Sequence, residues 1–287
     1  MMLLREVKTV FLSELQAILP EEEIQSCFHL SVEHLFGYAR FILVLRPDLA
    51  VTDAELRQLF GILDRLKRNE PIQYILGVTE FMGYDIKVDA RVLIPRPETE
   101  ELVHWILETC AERKAEPLRI LDIGTGSGCI AIALAHALPS ARVFALDRSE
   151  DALEVARANA KSHQLDITFL SQDILAPFES PEAFDLIVSN PPYVRESEKK
   201  EMADNVLEFE PKQALYVPDA EPLLFYDAIT RFAKQQLAPE GHLFFEINQY
   251  LGQETESILL ENGFENVVLK TDIFGNFRML KGSMTKS

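Results

Sequence analysis

The first part of the chain has the hydrophobic pattern of amphipathic helices. Across residues 7–66, apolar side chains recur at spacings of three and four residues, which places them on one face of a helix. Turn signals at Pro20 and Pro47 divide this stretch. Thr52 and Glu55 have the spacing of a capping box, so the last helix is predicted to begin there. The pattern predicts a small bundle of four or five helices.

A different pattern follows the helical region. Residues 76–93 contain strand-like segments with turn glycines at Gly77 and Gly83, which predict a β-hairpin. Short apolar runs then alternate with helical stretches, as in an α/β sheet. The predicted strands lie near 118–123, 142–147, 166–170, 184–189, 241–247, 265–270 and 276–281. The predicted division of the chain is a helical domain at 1–73, a hairpin linker at 74–95 and an α/β domain at 96–287.

A glycine-rich loop follows the first predicted strand of the sheet. It contains Gly124, Thr125, Gly126, Ser127 and Gly128, and an apolar helical stretch comes directly after it. Strand, glycine loop and helix in this order form the nucleotide-binding start of a doubly wound sheet. The glycines allow positive φ angles and a close approach of a ligand to the backbone.

The spacing within this loop separates two classes of nucleotide cofactor. The dinucleotide fingerprint G-x-G-x-x-G needs a third glycine where this chain has Cys129. Asp122 places a carboxylate at the strand end, which would repel a pyrophosphate and suits a cationic or zwitterionic ligand. Asp147 ends the next predicted strand, where an acid accepts hydrogen bonds from ribose hydroxyls. The loop therefore predicts a site for S-adenosylmethionine, bound by Gly124–Gly128 and Asp147.

A second loop carries the candidate chemistry. Asn190, Pro191, Pro192 and Tyr193 follow the apolar run 184–189, which is typical of a buried parallel strand. Two prolines cannot continue a central strand, so the chain must leave the sheet in a stiff, extended form. The Asn190 side-chain oxygen and the Pro191 carbonyl would each accept one N–H of a planar amino group, with Tyr193 packed on its flat side. The loop therefore suits a planar amino group, although the tetrapeptide alone is also compatible with an ordinary Pro-rich turn after a strand.

Four further segments point to one family. They are EPIQYILG at 70–77, FMGY at 81–84, VLIPRPETE at 92–100 and EPKQAL at 210–215. Together with the NPPY tetrapeptide, they resemble the PrmC/HemK family of release-factor glutamine N5-methyltransferases from about Glu70 to the end of the chain. The chain departs from the family pattern at Asn248, where glycine is common, and in a loose version of the last strand at 273–278. Both departures are expected to lie away from the chemistry.

The resemblance implies a fold, a cofactor and a partner. The fold is an α/β, Rossmann-like S-adenosylmethionine-dependent methyltransferase sheet that ends in an antiparallel hairpin, and S-adenosylhomocysteine is the expected product. The expected partners are class I peptide chain release factors, methylated on the glutamine of their Gly-Gly-Gln loop. The helical domain is expected to recognise that substrate, because the α/β domain does not need it to bind the cofactor.

Position along the chain suggests roles for other residues. Asp173 is placed to hydrogen-bond the adenine amino group, with Ile174 against the ring, and a turn-capping role for Asp173 is an equal alternative. Asn190 is expected to contact the cofactor as well as the substrate nitrogen. Arg96, Glu98 and Thr99 either line the entrance of the pocket or only shape the linker.

Composition narrows the partners. The net charge is −18, of which −15 falls after residue 70. This argues against a nucleic-acid backbone as the main contact and suits either a partner with a basic surface or solubility alone. No secretory signal, membrane-spanning run or metal-ligand spacing is present. Cys27, Cys110 and Cys129 are far apart and outside any C-x-x-C pattern, so they are expected to be free thiols in the cytoplasm.

Two other functions are compatible with the loops. An adenine-N6 or guanine-N2 nucleic-acid methyltransferase would use NPPY on an exocyclic amine, but it would also need to flip and read a base, and residues 1–70 have no basic or aromatic region for that. A non-catalytic cofactor-binding assembly factor would be expected to lose NPPY or the glycine loop. We expect a monomer with neither a nucleic-acid substrate nor a membrane partner.

Overall fold

The computed structural model describes residues 2–177, 179–180 and 182–285. It divides into a helical unit, Met1–Gly77 with Ala203–Phe209, and an α/β unit, Val78–Met202 with Glu210–Ser287. The hairpin predicted as a linker therefore groups with the α/β unit, and no sequence signal had linked residues 203–209 to the helical one. The first residue of the predicted helical domain and the last two of the predicted α/β domain lie outside the described residues.

The helical unit is the predicted bundle. Its N-terminal elements are β1 (Met2–Leu3), α1 (Leu4–Leu15), α2 (Glu21–Phe36), α3 (Ile42–Leu45), β2 (Ala50–Val51), α4 (Asp53–Leu66) and α5 (Ile72–Leu76). The capping box is present: Thr52 Oγ1 accepts from the Glu55 N–H at 3.3 Å, and the Glu55 carboxylate accepts from the Thr52 N–H at 2.7 Å. Because these two bonds satisfy free N–H groups of the first turn, α4 begins where the sequence predicted.

Apolar faces of the helices form the core of this unit. Phe11 on α1 and Phe28 on α2 are fully buried, and their rings meet edge to face with centroids 5.4 Å apart. Leu59 and Leu63 on α4 belong to the same buried cluster. Gly37 ends α2 with a φ of 68°, the left-handed conformation that glycine adopts without strain.

The α/β unit begins with the predicted hairpin and a helix. The hairpin pairs β3 (Val78–Phe81) with β4 (Tyr84–Lys87), and helix α6 covers Pro97–Thr109. Both turn residues have positive φ, 53° at Met82 and 79° at Gly83, as a tight two-residue hairpin requires. The Met82 N–H donates to the Glu100 carboxylate at 2.6 Å, which ties the turn to the first part of α6.

The remaining elements form the main sheet with its helices, a separate parallel pair of strands at 194–195 and 216–217, and the helix at 204–209 that belongs to the helical unit. In chain order the strands are β5 (Arg119–Ile123), β6 (Arg142–Asp147), β7 (Ile167–Ser171), β8 (Phe184–Ser189), β9 (Val194–Arg195), β10 (Tyr216–Val217), β11 (Leu237–Glu246), β12 (Glu265–Thr271) and β13 (Phe277–Ser283). The helices are α7 (Cys129–Ala137), α8 (Glu150–Ser162), α9 (Asp204–Phe209), α10 (Lys212–Leu215), α11 (Leu224–Gln236) and α12 (Gly252–Glu261), with 3₁₀ turns at Ala111–Arg113 and Glu196–Glu201.

The strand order places two loops side by side. Within the described residues, the sheet has seven strands in the order β12-β13-β11-β8-β5-β6-β7. Strands β5 to β7 run to one side and β8 and β11 to the other, all parallel, and β13 is antiparallel to both of its neighbours. Ile123 at the end of β5 pairs with Ser189 at the end of β8. The order reverses at this point, and ligands of open α/β sheets bind beyond such strand ends.

The central strands of the sheet are buried on both faces. Strands β5 and β8 are almost continuously apolar, and their side chains join one core cluster with α11, as parallel strands covered on both faces require. Strand β11 starts at Leu237, earlier than predicted, with a register shift between Leu237 and His242. Pro239 within the shift has no N–H to donate to the ladder. In the described part of the chain, no helix combines the length and apolarity needed to cross a membrane.

Candidate active site

The glycine loop turns sharply at the end of β5. Gly124, Gly126 and Gly128 have φ angles of 74°, 54° and 83°, a region that side chains with a Cβ rarely adopt. The N–H groups of Gly124 and Thr125 both donate to the Leu146 carbonyl at the end of β6, at 2.8 and 3.0 Å. These bonds fix the loop against the neighbouring strand, so its conformation depends on glycine at the positions that the sequence indicated.

Gly128 has a different place from the other glycines. A Cβ added there would lie 3.2 Å from the Ala156 Cβ on α8, so the absence of a side chain allows the helix to pack closely. Asn159 on the same helix is fully buried and donates to the Ser127 carbonyl at 2.9 Å. Its amide also exchanges hydrogen bonds with the Lys87 backbone. Sequence reasoning missed Asn159, although an asparagine on the otherwise apolar face of α8 was a signal.

Asp147 presents two acceptor oxygens where β6 ends. One accepts from the Gly126 N–H at 3.0 Å and the other from the Ser149 N–H at 2.9 Å. Burial raises the pKa of the Asp147 carboxyl, and these two backbone hydrogen bonds oppose the rise. Each carboxylate oxygen has a further lone pair for a ligand hydroxyl.

Asp122 is a second acid, located on β5. It is fully buried, and Oδ2 accepts from the Thr125 hydroxyl at 2.6 Å. Burial raises its pKa to about 7. The hydrogen bonds from the Thr125 hydroxyl and the Ala131 backbone N–H oppose this rise. Asp122 is not among the residues that line the cavity beside the loop, but its negative charge, when ionised, favours a cationic or zwitterionic ligand nearby over a pyrophosphate.

A cavity joins the two loops. Its empty space is about 1010 Å³ when the part open to solvent is counted, and such a cleft is the usual form of a small-molecule site. The predicted site residues that line it are Gly124, Thr125, Gly126, Ser127, Asp147, Asp173, Ile174, Asn190, Pro191 and Pro192. Gly128 and Tyr193 are not among its lining residues. A Cβ added to Gly124 would lie 4.0 Å from the Asn190 carbonyl oxygen, so the cofactor loop and the NPPY loop are direct neighbours.

The Asn190 amide has one end held and the other open. Its Nδ2 donates to Thr99 Oγ1 at 3.2 Å. No hydrogen bond to its Oδ1 occurs among the described residues, and Asn190 lines the cavity. Pro191 is buried, and its carbonyl has no recorded donor in the same part of the chain. Two free acceptors at the cavity match the two hydrogens of an amide nitrogen.

Tyr193 has a position that differs from the expected one. Its hydroxyl donates to Glu246 Oε1 at 2.9 Å, and its ring packs against the core cluster instead of lining the cavity. The apolar core and the buried carboxylate together draw the side chain inward. Stacking of this ring on a substrate amide therefore stays a prediction that the cavity lining does not reproduce.

Asn248, a departure from the family pattern, contacts the NPPY segment although it is not among the residues that line the cavity. Asn248 Nδ2 donates to the Tyr193 carbonyl at 3.0 Å and to the Glu198 carboxylate at 3.0 Å. Glycine has no side chain to make either bond. Asn248 therefore holds the end of the NPPY segment, a contact that spacing along the chain could not reveal because the two residues belong to different strand ends.

Asp173 and the linker residues each had two alternative predicted roles. Asp173 lines the cavity and also caps a turn, since its Oδ1 accepts from the Leu175 N–H at 2.9 Å. Arg96 and Thr99 line the cavity, and Glu98 does not. Arg96 forms an ion pair at 2.5 Å with the buried Glu210 of the EPKQAL segment. In the described part of the chain, no group of three His, Cys, Asp or Glu side chains is arranged to hold a metal ion.

Comparison with known families gives matches to both parts of the chain. The Methyltransferase small domain family matches residues 104–215, and the PrmC N-terminal domain family matches residues 8–77. The second match covers most of the helical unit, including all of α1 to α5 except the start of α1.

Curated relatives match nearly the whole length. Release factor glutamine methyltransferase of Flavobacterium psychrophilum is 50% identical over 281 residues, which cover 98% of this chain and 99% of the relative. The protein of the same name in Bacteroides thetaiotaomicron is 44% identical over 93% of this chain and 95% of its own length. Among solved structures, a Thermus thermophilus 16S rRNA methyltransferase in complex with AdoMet and guanosine superposes with a TM-score of 0.53 at 18% identity, over 72% of this chain and 49% of that one. This last likeness shows the fold alone.

Proposed function

The chain belongs to the release factor glutamine methyltransferase family, and we propose that its cavity transfers a methyl group from S-adenosylmethionine to the side-chain nitrogen (N5) of the glutamine in the Gly-Gly-Gln motif of peptide chain release factors. The observation that supports this reaction best is the Asn190 side-chain amide in the cavity lining: its nitrogen donates to Thr99, and its oxygen has no partner among the described residues. An amide nitrogen carries two hydrogens, and this loop offers two acceptors for them.

The residues around the glycine loop fit the cofactor. S-adenosylmethionine supplies a methyl group on a positively charged sulfur, which is a good leaving group. We propose that Asp147 accepts from the ribose hydroxyls and that Gly124–Ser127 lie along the methionine part, with Gly128 supporting the loop through its packing on α8. Asp173 and Ile174 line the cavity beyond Asp147 and are proposed to contact the adenine.

The NPPY loop is proposed to bind and orient the reacting nitrogen. An amide nitrogen is a weak nucleophile because its lone pair is delocalised into the carbonyl. Asn190 Oδ1 and the Pro191 carbonyl would accept its two hydrogens, which directs the nitrogen and stabilises positive charge as it develops there. Orientation of this kind contributes roughly 7–11 kcal/mol in favourable cases. Because the nitrogen loses its proton after transfer, the site needs no strong base.

We propose that the helical domain, predicted at 1–73, selects the protein substrate. A single glutamine side chain offers too little surface for discrimination among cellular glutamines, so binding energy must come from contacts away from the reacting amide. The PrmC N-terminal domain match and the exposed apolar side chains of this unit support the proposal. The hairpin region 74–95 and the catalytic domain 96–287 complete the proposed organisation.

We also propose a cytoplasmic monomer without a nucleic-acid substrate. The net charge of −15 after residue 70 opposes binding to a phosphate backbone. Three free cysteines, all buried, suit a reducing compartment.

The experiment that tests the function offers three substrates to the enzyme with radiolabelled S-adenosylmethionine. Intact release factor, duplex DNA and ribosomal RNA are supplied in separate reactions at equal concentration. We expect label in the release factor, at the glutamine of Gly-Gly-Gln. Label in DNA or rRNA with an unmodified release factor would overturn the proposal and favour a nucleic-acid methyltransferase.

A further inference from the structure

A chain of hydrogen bonds leads from the cavity to a buried carboxylate. Asn190 Nδ2 donates to Thr99 Oγ1 at 3.2 Å, and the Thr99 hydroxyl donates to Glu246 Oε2 at 2.6 Å. Thr99 and Glu246 are only 3% and 1% exposed, so water does not compete for these bonds. The three residues come from different elements: the first turn of α6, the loop after β8 and the last residue of β11.

The direction of these bonds follows from the number of protons. An ionised carboxylate only accepts, and a threonine hydroxyl has one proton to give. Once Thr99 donates that proton to Glu246, its oxygen can only accept from Asn190. The Asn190 amide must therefore turn its nitrogen toward Thr99 and its oxygen the other way. The nitrogen and oxygen ends of the Asn190 amide have similar shapes. Without a partner that can only accept, nothing at Thr99 would distinguish one end from the other.

A second bond holds the carboxylate in this arrangement. Tyr193, which belongs to the same NPPY segment as Asn190, donates to Glu246 Oε1 at 2.9 Å. Both carboxylate oxygens thus receive a hydrogen bond, one directly from the NPPY segment and one from the threonine that holds Asn190. Glu246 and Thr99 are 147 residues apart in sequence, so the folded sheet alone brings them together.

We propose that Thr99 and Glu246 are positioning residues that set the orientation of the Asn190 amide and so keep its oxygen toward the N–H of the substrate glutamine. The inference rests on the proposed function, in which Asn190 binds that amide. Neither residue touches the reacting nitrogen in this assignment. Thr99 acts through Asn190, and Glu246 acts through Thr99.

The arrangement makes the orientation sensitive to a proton on Glu246. A protonated Glu246 could donate to Thr99, whose hydroxyl would then be free to donate to Asn190 Oδ1 and reverse the amide. Burial raises the pKa of the Glu246 carboxyl, and the hydrogen bonds from Thr99 and Tyr193 oppose the rise. The other titratable groups that act on Glu246 or are acted on by it are Glu98 on α6, Cys129 on α7, Tyr226 on α11 and Arg278 on β13.

The first test compares two substitutions at one position with a matched control. Thr99→Val removes the hydroxyl at nearly constant volume, and Thr99→Ser keeps it. Thr255→Val is the control, because Thr255 is also fully buried in the α/β unit, donates one hydrogen bond, to the Leu251 carbonyl at 2.7 Å, and is not among the cavity-lining residues. For each variant, kcat and KM with intact release factor, the Kd for S-adenosylmethionine and the thermal unfolding midpoint are measured.

We expect Thr99→Val to lower kcat roughly 10- to 100-fold, the range known for outer-shell partners that orient a ligand, while the cofactor Kd stays unchanged. Thr99→Ser should restore most of the activity, and Thr255→Val should match wild type. Equal kcat for Thr99→Val and Thr255→Val would overturn the inference. If wild type itself leaves the release factor unmodified, the proposed function fails instead.

The second test does not depend on the stability of Thr99→Val. At saturating cofactor, the kcat of wild type should fall as the pH is lowered through the raised pKa of Glu246. Glu246→Gln removes the titrating group, so this acid limb should disappear while kcat at neutral pH is reduced, because a glutamine amide can fix the threonine proton in either direction. A Glu246→Gln enzyme with wild-type kcat and an unchanged acid limb would contradict the role given to Glu246.

Discussion

At the scale of single residues, the cavity offers a ligand several oxygen acceptors within a mostly apolar lining. Asp147, Asn190 and the Pro191 carbonyl all offer oxygens, and the two acids below and beside the glycine loop have pKa values raised by burial. Both acids accept hydrogen bonds from the protein, and the Asp147 oxygens keep further lone pairs for a ligand. A bound ligand with hydroxyl groups and a positive charge would use the hydrogen-bonding capacity that these oxygens retain. One prediction concerns Asp147 and a second concerns Asp122.

Asp147→Ala should weaken S-adenosylmethionine binding more than it slows turnover at saturating cofactor. A lost hydrogen bond to a charged group costs about 1.5–3 kcal/mol. Asp166→Ala, which removes an equal charge from an exposed position outside the cavity, is the control and should bind normally. Calorimetric titration of both variants measures the effect, and normal cofactor affinity in Asp147→Ala would remove this residue from the site.

Asp122→Asn should change how stability depends on pH. Burial raises the pKa of Asp122 in the folded protein from 3.8 to about 7, so between these values the folded state holds a proton that the unfolded state has released. Wild-type stability therefore falls as the pH rises through this window, by at most about 1.4 kcal/mol per pH unit from this group. Asparagine has no such proton.

The measurement for Asp122→Asn is urea unfolding of both proteins at pH 5 and pH 8. The difference in free energy of unfolding between variant and wild type should shift in favour of the variant at the higher pH. A difference that is the same at both pH values would show that Asp122 does not hold a proton in the folded state.

At the scale of elements, local patterns predicted the strands and the two loops well. The strands β5, β6, β7 and β8 begin and end within about one residue of their predicted limits, because buried parallel strands read as short apolar runs between turn residues. The glycine loop and NPPY were found because glycine and proline restrict the backbone locally. These signals lie within a few residues of each other and need no knowledge of the fold.

Local sequence patterns could not identify the residues that hold the two loops in place. Thr99, Asn159 and Glu246 are ordinary polar residues in their own segments, and their roles come from partners 91, 72 and 147 residues away. Thr99 was considered only as a possible lining residue. The inward position of Tyr193 likewise follows from the buried Glu246, which no periodicity along the chain connects to the NPPY loop.

Gly128→Ala tests the packing of the glycine loop on α8. The alanine would have to adopt a φ of 83°, and its Cβ would lie 3.2 Å from the Ala156 Cβ. We therefore expect a loss of about 1–3 kcal/mol in free energy of unfolding together with weaker cofactor binding. Gly263→Ala is the control, because Gly263 has a φ of 87° with nothing within 4 Å of the added Cβ.

Gly263→Ala has the free-energy cost of a positive φ, but its Cβ makes no close contact with another residue. Urea unfolding should therefore show a smaller loss for Gly263→Ala than for Gly128→Ala, and only the latter should affect cofactor affinity. Equal losses in the two variants would mean that the approach of α8 is not what requires glycine at position 128.

At the scale of the whole molecule, the two units are proposed to divide binding of the protein substrate from chemistry. On the helical unit, Phe41, Val44 and Leu45 in and beside α3 are 60%, 83% and 66% exposed. Three large apolar side chains close together at a surface are a feature of binding sites. They are also absent from the buried core of their own unit, so replacing them leaves that core unchanged.

The double variant Phe41→Ser with Val44→Ser should lower kcat/KM for intact release factor at least roughly fivefold, equivalent to about 1 kcal/mol of lost contact. Methylation of a short Gly-Gly-Gln peptide and the cofactor Kd should stay at wild-type values. Leu260→Ser, which removes an apolar side chain 55% exposed on α12, is the control. An effect of the same size on peptide and protein would contradict recognition by this surface.

The most direct measurement of the central claim is peptide-mapping mass spectrometry of a release factor incubated with the enzyme and S-adenosylmethionine. Wild type and Asn190→Ala are compared, with Asn262→Ala, outside the cavity lining, as control. We predict one methyl group on the Gly-Gly-Gln glutamine with wild type and Asn262→Ala. With Asn190→Ala, we predict a rate lower by about 2.7–4 kcal/mol of transition-state stabilisation at unchanged cofactor affinity. An unmodified glutamine with wild type, or an undiminished rate with Asn190→Ala, would contradict the account.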